Sequence, residues 1–283
     1  MTEALERWRA WLGRREETGD LLDLNRARAM QATLDVEGPP LRAGDPLPPL
    51  WHWLYFWSVA PAAAIGPDGH AARGGFLPAI ELPRRMWAGS RVRFPAALPL
   101  GAEARRESEI TAVDFKEGRS GQLAFVTVRH RISAAGSLAV EEEHDIVYRA
   151  AAQPGETPRP GSPAPADPPW RRELRPDPVL LFRYSALTFN GHRIHYDQPY
   201  VTGVEGYPGL IVHGPLLATL MVELARRAAG RDIASFEFRA LRPIFDTAPF
   251  TVAGTPEGDA AAKVWVADPD GVLAMDGKVG FGN

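Results

Sequence analysis

Nine of the 27 prolines in this chain fall between Pro154 and Pro178, spaced by glycine, serine and alanine. Proline fixes φ and removes a backbone donor, so this stretch is expected to be extended, semi-rigid and outside any packed sheet. It divides the 283 residues into an N-terminal part, 1–152, a linker, 153–178, and a C-terminal part, 179–283. Each part repeats one outline, an apolar helical segment followed by several strands of period two. The likeness is one of pattern and not of residue identity.

In the first part, residues 3–34 predict two helical pieces separated by Gly19, carrying the stripes Leu5, Trp8, Trp11, Leu12 and Leu21, Leu24, Ala27, Met30, Leu34. After a Pro/Gly-rich loop, Leu50-Trp-His-Trp-Leu-Tyr-Phe-Trp57 is apolar nearly all round, and its proline-rich lead-in favours a helix start. Trp51, Trp53 and Phe56 read first as core, and as candidate lining for an apolar ligand pocket. Period-two segments then run from Glu107 to Phe115, Leu123 to Ser133 and Leu138 to Tyr148, an antiparallel meander. His130 and His144 read as ordinary strand residues, and Glu141 to Glu143 as exposed surface.

In the second part, Val179 to Tyr184 reads as a short strand and Val212 to Ala229 as a strongly apolar helix. Strands follow at Ser235 to Arg242, Phe250 to Gly254, Ala262 to Ala267 and Val272 to Gly280. With 45% hydrophobic residues the chain can build a sizeable core, and a net charge of −3 supplies no broad basic surface for nucleic acid. The absence of cysteine removes disulfides and thiolate chemistry and fits a reducing cytoplasm. The most membrane-like run, Leu47 to Ile65, is broken by Pro48, Pro49 and Pro61 and carries His52, so no membrane span is expected.

The chemistry concentrates in Phe182-Arg-Tyr-Ser-Ala-Leu-Thr-Phe-Asn-Gly-His-Arg-Ile-His-Tyr-Asp197, which holds two of the seven histidines. A second stretch, Gly209-Leu-Ile-Val-His-Gly-Pro-Leu-Leu217, opens the long helix. A histidine with a pKa near 6.5 is the natural general base near neutral pH. Gly214, beside Pro215 in the first helical turn, allows close backbone approach where N–H groups lack partners. No metal site is expected, because His192 and His195 with one carboxylate are a weak ligand pattern. No Gly-Xaa-Ser-Xaa-Gly elbow or phosphate-binding loop occurs.

The run Thr188-Phe-Asn-Gly-His-Arg-Ile-His195-Tyr-Asp, followed by Gly209 to Pro215, resembles the hydratase motif of the MaoC-like, hydratase-2 enoyl-thioester hydratases. It is most similar to their two-domain branch, the mesaconyl-C4-CoA and itaconyl-CoA hydratases and the mitochondrial type 2 hydroxyacyl-thioester dehydratases. Gly44-Asp-Pro-Leu-Pro-Pro-Leu-Trp-His-Trp-Leu54 is also similar to that branch. The resemblance implies an α+β double hotdog, in each half a long helix wrapped by an antiparallel sheet, binding an acyl-CoA thioester between halves without a cofactor. It puts His195 at the catalytic histidine and the Gly214 amide in the oxyanion pocket. The N-terminal half is expected to be non-catalytic and to supply the acyl pocket.

The family pattern has an aspartate five residues before its catalytic histidine, where this chain has Asn190. An amide orients water but cannot return a proton, so either His195 makes both transfers or a neighbour such as His192 shares them. A neutral Asn190, with Arg183 or Arg193 nearby, would tolerate a substrate bearing its own carboxylate, which a buried aspartate would repel. This points to a short branched dicarboxylic acyl-CoA. Tyr184, Ser185, Thr188, His192, Arg193, Arg183 and His213 complete the candidate binding set. A 3-hydroxyacyl-carrier-protein dehydratase and a non-catalytic acyl-CoA-binding protein are the competing readings, and a homodimer is compatible with all three.

Overall fold

A computed structural model describes residues 2–118, 121–150 and 161–282. In chain order its elements are α1 (Thr2–Arg9), β1 (Arg15–Leu21), α2 (Leu24–Thr33), β2 (Arg84–Arg93), β3 (Glu103–Gly118), β4 (Gly121–Ala134) and β5 (Ser137–Arg149). They are followed by β6 (Trp170–Leu174), α3 (Pro178–Leu187), α4 (Gln198–Gly203), α5 (Gly214–Ala229), β7 (Ile233–Ala240), β8 (Phe250–Glu257), β9 (Ala261–Ala267) and β10 (Leu273–Phe281). None of the described helices is long and apolar enough to cross a membrane.

All ten strands join one antiparallel sheet in the order β1-β3-β4-β5-β2-β7-β10-β9-β8-β6. From its outer edge inward each half reads the same way, first strand, third, fourth, fifth, second. The duplication expected from pattern is therefore present as topology. The halves are stitched where Gly89 to Arg93 of β2 pair with Arg239 to Ser235 of β7.

Helix α5 is the centre of the C-terminal half. Leu216, Leu217, Leu220, Met221, Val222 and Ala225 are buried on it, and it packs on β6 to β10. Burying each large apolar side chain is worth about 1.5–3 kcal/mol, so the strands wrap this rod. Gly230, at φ 62°, ends the helix in the left-handed conformation that only glycine adopts without strain.

Several local expectations are corrected. Gly19 does not separate two helices; it lies inside β1, which pairs with β3. The run Leu50 to Trp57 makes only one 3₁₀ turn, Trp51–Leu54, because left-handed backbone at Leu50 (φ 69°) and Phe56 (φ 58°) stops propagation on both sides. The N-terminal half thus has no long helix among its described residues. Val179 to Tyr184 is helix, not strand: Asp177 caps α3 by accepting the Leu180 N–H at 2.8 Å, and Pro178 sits in the first turn. In the proline-rich stretch, 153–160 lies outside the described residues, while Trp170 to Leu174 forms β6, paired with β8. An edge strand bonds on one side only, so flanking prolines do not forbid it.

Candidate active site

The site is built from the chain between α3 and α5. Thr188 Oγ1 donates to the Tyr184 carbonyl (2.8 Å), and Phe189 adopts φ 51°, which turns the chain out of α3. Asn190 N–H then donates to the Ser185 carbonyl (2.8 Å), and Asn190 Oδ1 accepts the His192 N–H (3.0 Å). This Asx turn leads into a 3₁₀ turn, Arg193–His195, that brings the His195 ring inward. Asp197 caps α4 and holds Arg193 by ion pairing at 2.8 Å.

His195 is buried, and its Nδ1 lies 2.7 Å from the Ile211 carbonyl. A carbonyl only accepts, so Nδ1 carries the proton and Nε2 keeps a free lone pair. Burial pushes the imidazole down to about 4, partly opposed by the Ile211 bond, so at pH 7 it is neutral, with Nε2 unprotonated. The segment carrying Ile211 continues into His213, the residue before α5, whose ring stacks on His195 at 3.7 Å and 18°. His213 Nε2 meets Ser185 Oγ at 2.8 Å, while its Nδ1 is buried without a partner.

A cleft of about 2720 Å³ opens between the halves and is lined by both. Tyr184, Ser185, Thr188, Asn190, His192, His195 and Gly214 line it from one side, and Trp53 and Phe56 from the other. The ring of His195 and the start of α5 therefore face one space. Gly214 begins α5, where N–H groups have no intrahelical acceptor, and a Cβ placed on it would meet only the Met275 methyl at 4.0 Å. The protein leaves that position open towards the cleft. A neutral base facing fixed amide donors can activate water against an acceptor whose oxygen gains negative charge.

Four expected residues lie elsewhere. Arg183 is exposed and borders a separate small depression; Arg193 is bound to Asp197 and the Pro67 carbonyl; Trp51 is sealed in the core; His213 sits behind His195. Among the arginines that do line the cleft, Arg73 donates to three carbonyls, and Arg84, Arg106 and Arg242 face Glu205, Glu16 and Asp268. Arg85 and Arg149 line it with no ion pair to a described carboxylate; Arg85 hydrogen-bonds Tyr148 and is close enough for its charge to act on His192.

Glu142 is not surface. It is 2% exposed, accepting from Ser90 Oγ (2.8 Å) and Trp53 Nε1 (3.1 Å) and meeting His52 Nε2 at 3.1 Å. Burial alone would raise its pKa, but the bond and charge of His52 outweigh it and hold the carboxyl below its usual range. Strand parity could have found this: Glu142 shares a face with Val140 and Ile146, whereas Glu141 and Glu143 pair outward with Arg93 and Arg91. Asp68 and His70, also on the cleft, come from a loop that carries no periodic signal.

A sequence profile of the hydroxyacyl-thioester dehydratase type 2 family matches residues 50–246, more than half of the chain. The chain belongs to this family. It is 49% identical, over 97% of its length and 98% of the relative's, to a mesaconyl-C(4)-CoA hydratase of Chloroflexus aurantiacus. The chain also shares its fold with a MaoC-like dehydratase from Phytophthora capsici (TM-score 0.69, 13% identity, 99% of both chains). A Mycobacterium tuberculosis protein described as having a double hotdog fold superposes with TM-score 0.57 at 14% identity, over 95% of this chain and 96% of that one. The chain is thus a double hotdog and an enzyme of the hydratase and dehydratase class, a carbon–oxygen lyase.

Proposed function

We propose that this enzyme moves water across the α,β double bond of a short acyl-CoA that bears a free carboxylate, of the mesaconyl-C4-CoA type. One observation carries the chemistry: His195 spends Nδ1 on the Ile211 carbonyl and keeps Nε2 free in the cleft shared with Gly214. In this reading His195 takes a proton from water as oxygen attacks the β-carbon. The α5 amides hold the thioester oxygen while it carries enolate charge. Asn190 orients the water, and Trp53 and Phe56 pack the acyl group.

The full-length likeness to the Chloroflexus aurantiacus enzyme supports the substrate class. In mesaconyl-C4-CoA the free carboxylate is attached to the β-carbon, so its counter-ion must stand beside the base. Arg85, whose charge acts on His192, meets that demand in place of Arg183 and Arg193. A neutral Asn190 adds no competing negative charge. We read the enzyme as cytoplasmic, with no nucleic-acid partner.

The test is hydration of mesaconyl-C4-CoA, itaconyl-CoA and crotonyl-CoA, followed by loss of enoyl absorbance. Mesaconyl-C4-CoA is expected to be used best, and Arg85→Gln to raise its KM about tenfold or more while leaving crotonyl-CoA nearly unchanged. A strong preference for crotonyl-CoA would discard the dicarboxylate reading. Thioester binding without turnover of any of the three would leave an acyl-CoA-binding protein.

A further inference from the structure

The N-terminal half enters the active site through a loop, 66–70. Its Asp68 carbonyl accepts the Arg193 N–H (2.9 Å), and its Pro67 carbonyl accepts from Arg193 Nη1 (3.0 Å). At Gly69 (φ 89°) any Cβ would collide with the Gly191 carbonyl. The loop is therefore seated directly on the turn that holds His192 and His195.

Within it, Asp68 Oδ2 meets His70 Nδ1 at 3.1 Å, and Asp68 Oδ1 accepts the His70 N–H at 3.0 Å. The His70 ring lies 4.1 Å from that of His192, which in turn stands edge-on to His195 at 5.5 Å. Asp68, His70, His192 and His195 all line the cleft. A line of titratable groups thus runs from an N-terminal carboxylate to the base in the C-terminal half.

Hydration needs two proton transfers, one from water and one to the α-carbon. His195 offers one free nitrogen. Asn190 has no proton to give, and its Oδ1 is occupied by the His192 N–H. Burial holds Tyr184 well above the usual phenol range, so it stays protonated, and His213 is turned to Ser185 behind His195. A carboxylate on Nδ1 is the arrangement that sets an imidazole's tautomer and stabilises its charged form.

We propose that Asp68, His70 and His192 form the second proton-transfer unit of this active site, supplied largely by the half that lacks the hydratase motif. The proposal rests on the hydratase reading. As the water oxygen bonds to the β-carbon, its proton passes to His195 Nε2 and the π electrons move onto the thioester. His192 gives a proton to the α-carbon from one nitrogen and is resupplied at the other from His70, its ring neighbour at 4.1 Å, through cleft water. The proton on His195 then returns to His70 through cleft water, which restores the starting state. His192 is the relay; Asp68 and His70 position and charge it. The other groups facing this unit are His195 and His213, Arg85 of β2 and Tyr200 of α4.

The test uses the full-length enzyme on its best enoyl-CoA, with thermal melting to confirm that each variant is folded. Asp68→Asn removes the carboxylate that fixes the His70 ring in this line. kcat should fall about 10–100-fold with KM little changed, and its alkaline limb should shift. His70→Gln and His192→Gln should lose kcat to a similar degree. Introducing Asn190→Asp on the His70→Gln background should restore at least tenfold, because it puts a titratable group beside the same turn. An unmoved limb in Asp68→Asn, or no recovery in the double variant, assigns the loop a structural role and overturns the proposal. Wild-type rate in His70→Gln overturns it too, while His195→Ala remains inactive. An enzyme inactive on every enoyl-CoA would sink the parent reading as well.

Discussion

Each half of this molecule places a buried histidine on a 3₁₀ turn at the same cleft, and the two rings have opposite fates. His195 bonds a backbone carbonyl through Nδ1 and leaves Nε2 free. His52 has its Nε2 against the Glu142 carboxylate, within a knot that also holds Ser90 and Trp53. A neutral acceptor on the far nitrogen leaves an imidazole available as a base, whereas a carboxylate on the inner nitrogen ties it down. The halves differ equally in backbone: α5 starts beside His195, while the run around His52 is closed after one turn. Among the described residues, no long helix starts beside His52 as α5 does beside His195. The two halves share one topology but set their buried histidines in opposite surroundings.

Breaking the comparison at its strongest point means exchanging the roles of the two histidines. His195→Ala should lower kcat for hydration by about 10³–10⁴-fold with its unfolding midpoint nearly unchanged. Equal losses from His52→Ala, measured in folded protein, would contradict the assignment of roles. Next in size is Glu142→Ala, which leaves His52, Ser90 and Trp53 without their shared acceptor. A loss of about 3–5 kcal/mol in a urea titration is expected, with kcat per folded molecule largely kept. A stable variant would show that the knot does not hold the N-terminal half.

A smaller effect sharpens the difference in helix starts. Gly214→Ala adds a methyl in open cleft space, 4.0 Å from the Met275 methyl, so folding should be unaffected. Displacing the thioester oxygen from its donors should cost about 10²-fold in kcat. Unaltered turnover would remove Gly214 from the site.

The smallest effect is a pH dependence shared by both halves. Burial lowers His130 to about 3, His144 to about 4 and His195 to about 4. Each is depressed relative to the unfolded chain, so its contribution to stability is complete above about pH 6.5 and is lost as pH falls towards 4. The urea midpoint should therefore drop steadily from pH 7 to pH 5. Constant stability across that window would mean these rings are not buried uncharged.

Much of the C-terminal site was legible because it is local. Asn190, His192 and His195 lie within six positions, and the turn that gathers them is made by their own backbone bonds. The glycine opening an apolar helix was equally readable, since α5 carries its signal in its own periodicity. What failed depended on distant partners. Arg193 could not be seen to spend its charge on Asp197 and Pro67, nor Arg183 to point away from the cleft. Glu142 was misplaced because three adjacent glutamates read as surface, although parity alone separates it from its neighbours. β6 hid among prolines because pairing at an edge needs a partner strand that local composition does not announce.

From the chain alone came two repeated halves, a long apolar helix, the motif around His195 and the class of chemistry. These are properties of spacing and side-chain type over a few residues, where backbone geometry leaves few alternatives. Only the folded molecule decided that the halves join through β2 and β7, that Arg85 and not Arg193 faces the cleft, and that Asp68 and His70 arrive beside His192. Those contacts join residues more than a hundred positions apart, and nothing local encodes them. They follow from sheet closure, which buries apolar surface and carries the N-terminal loop to the C-terminal turn.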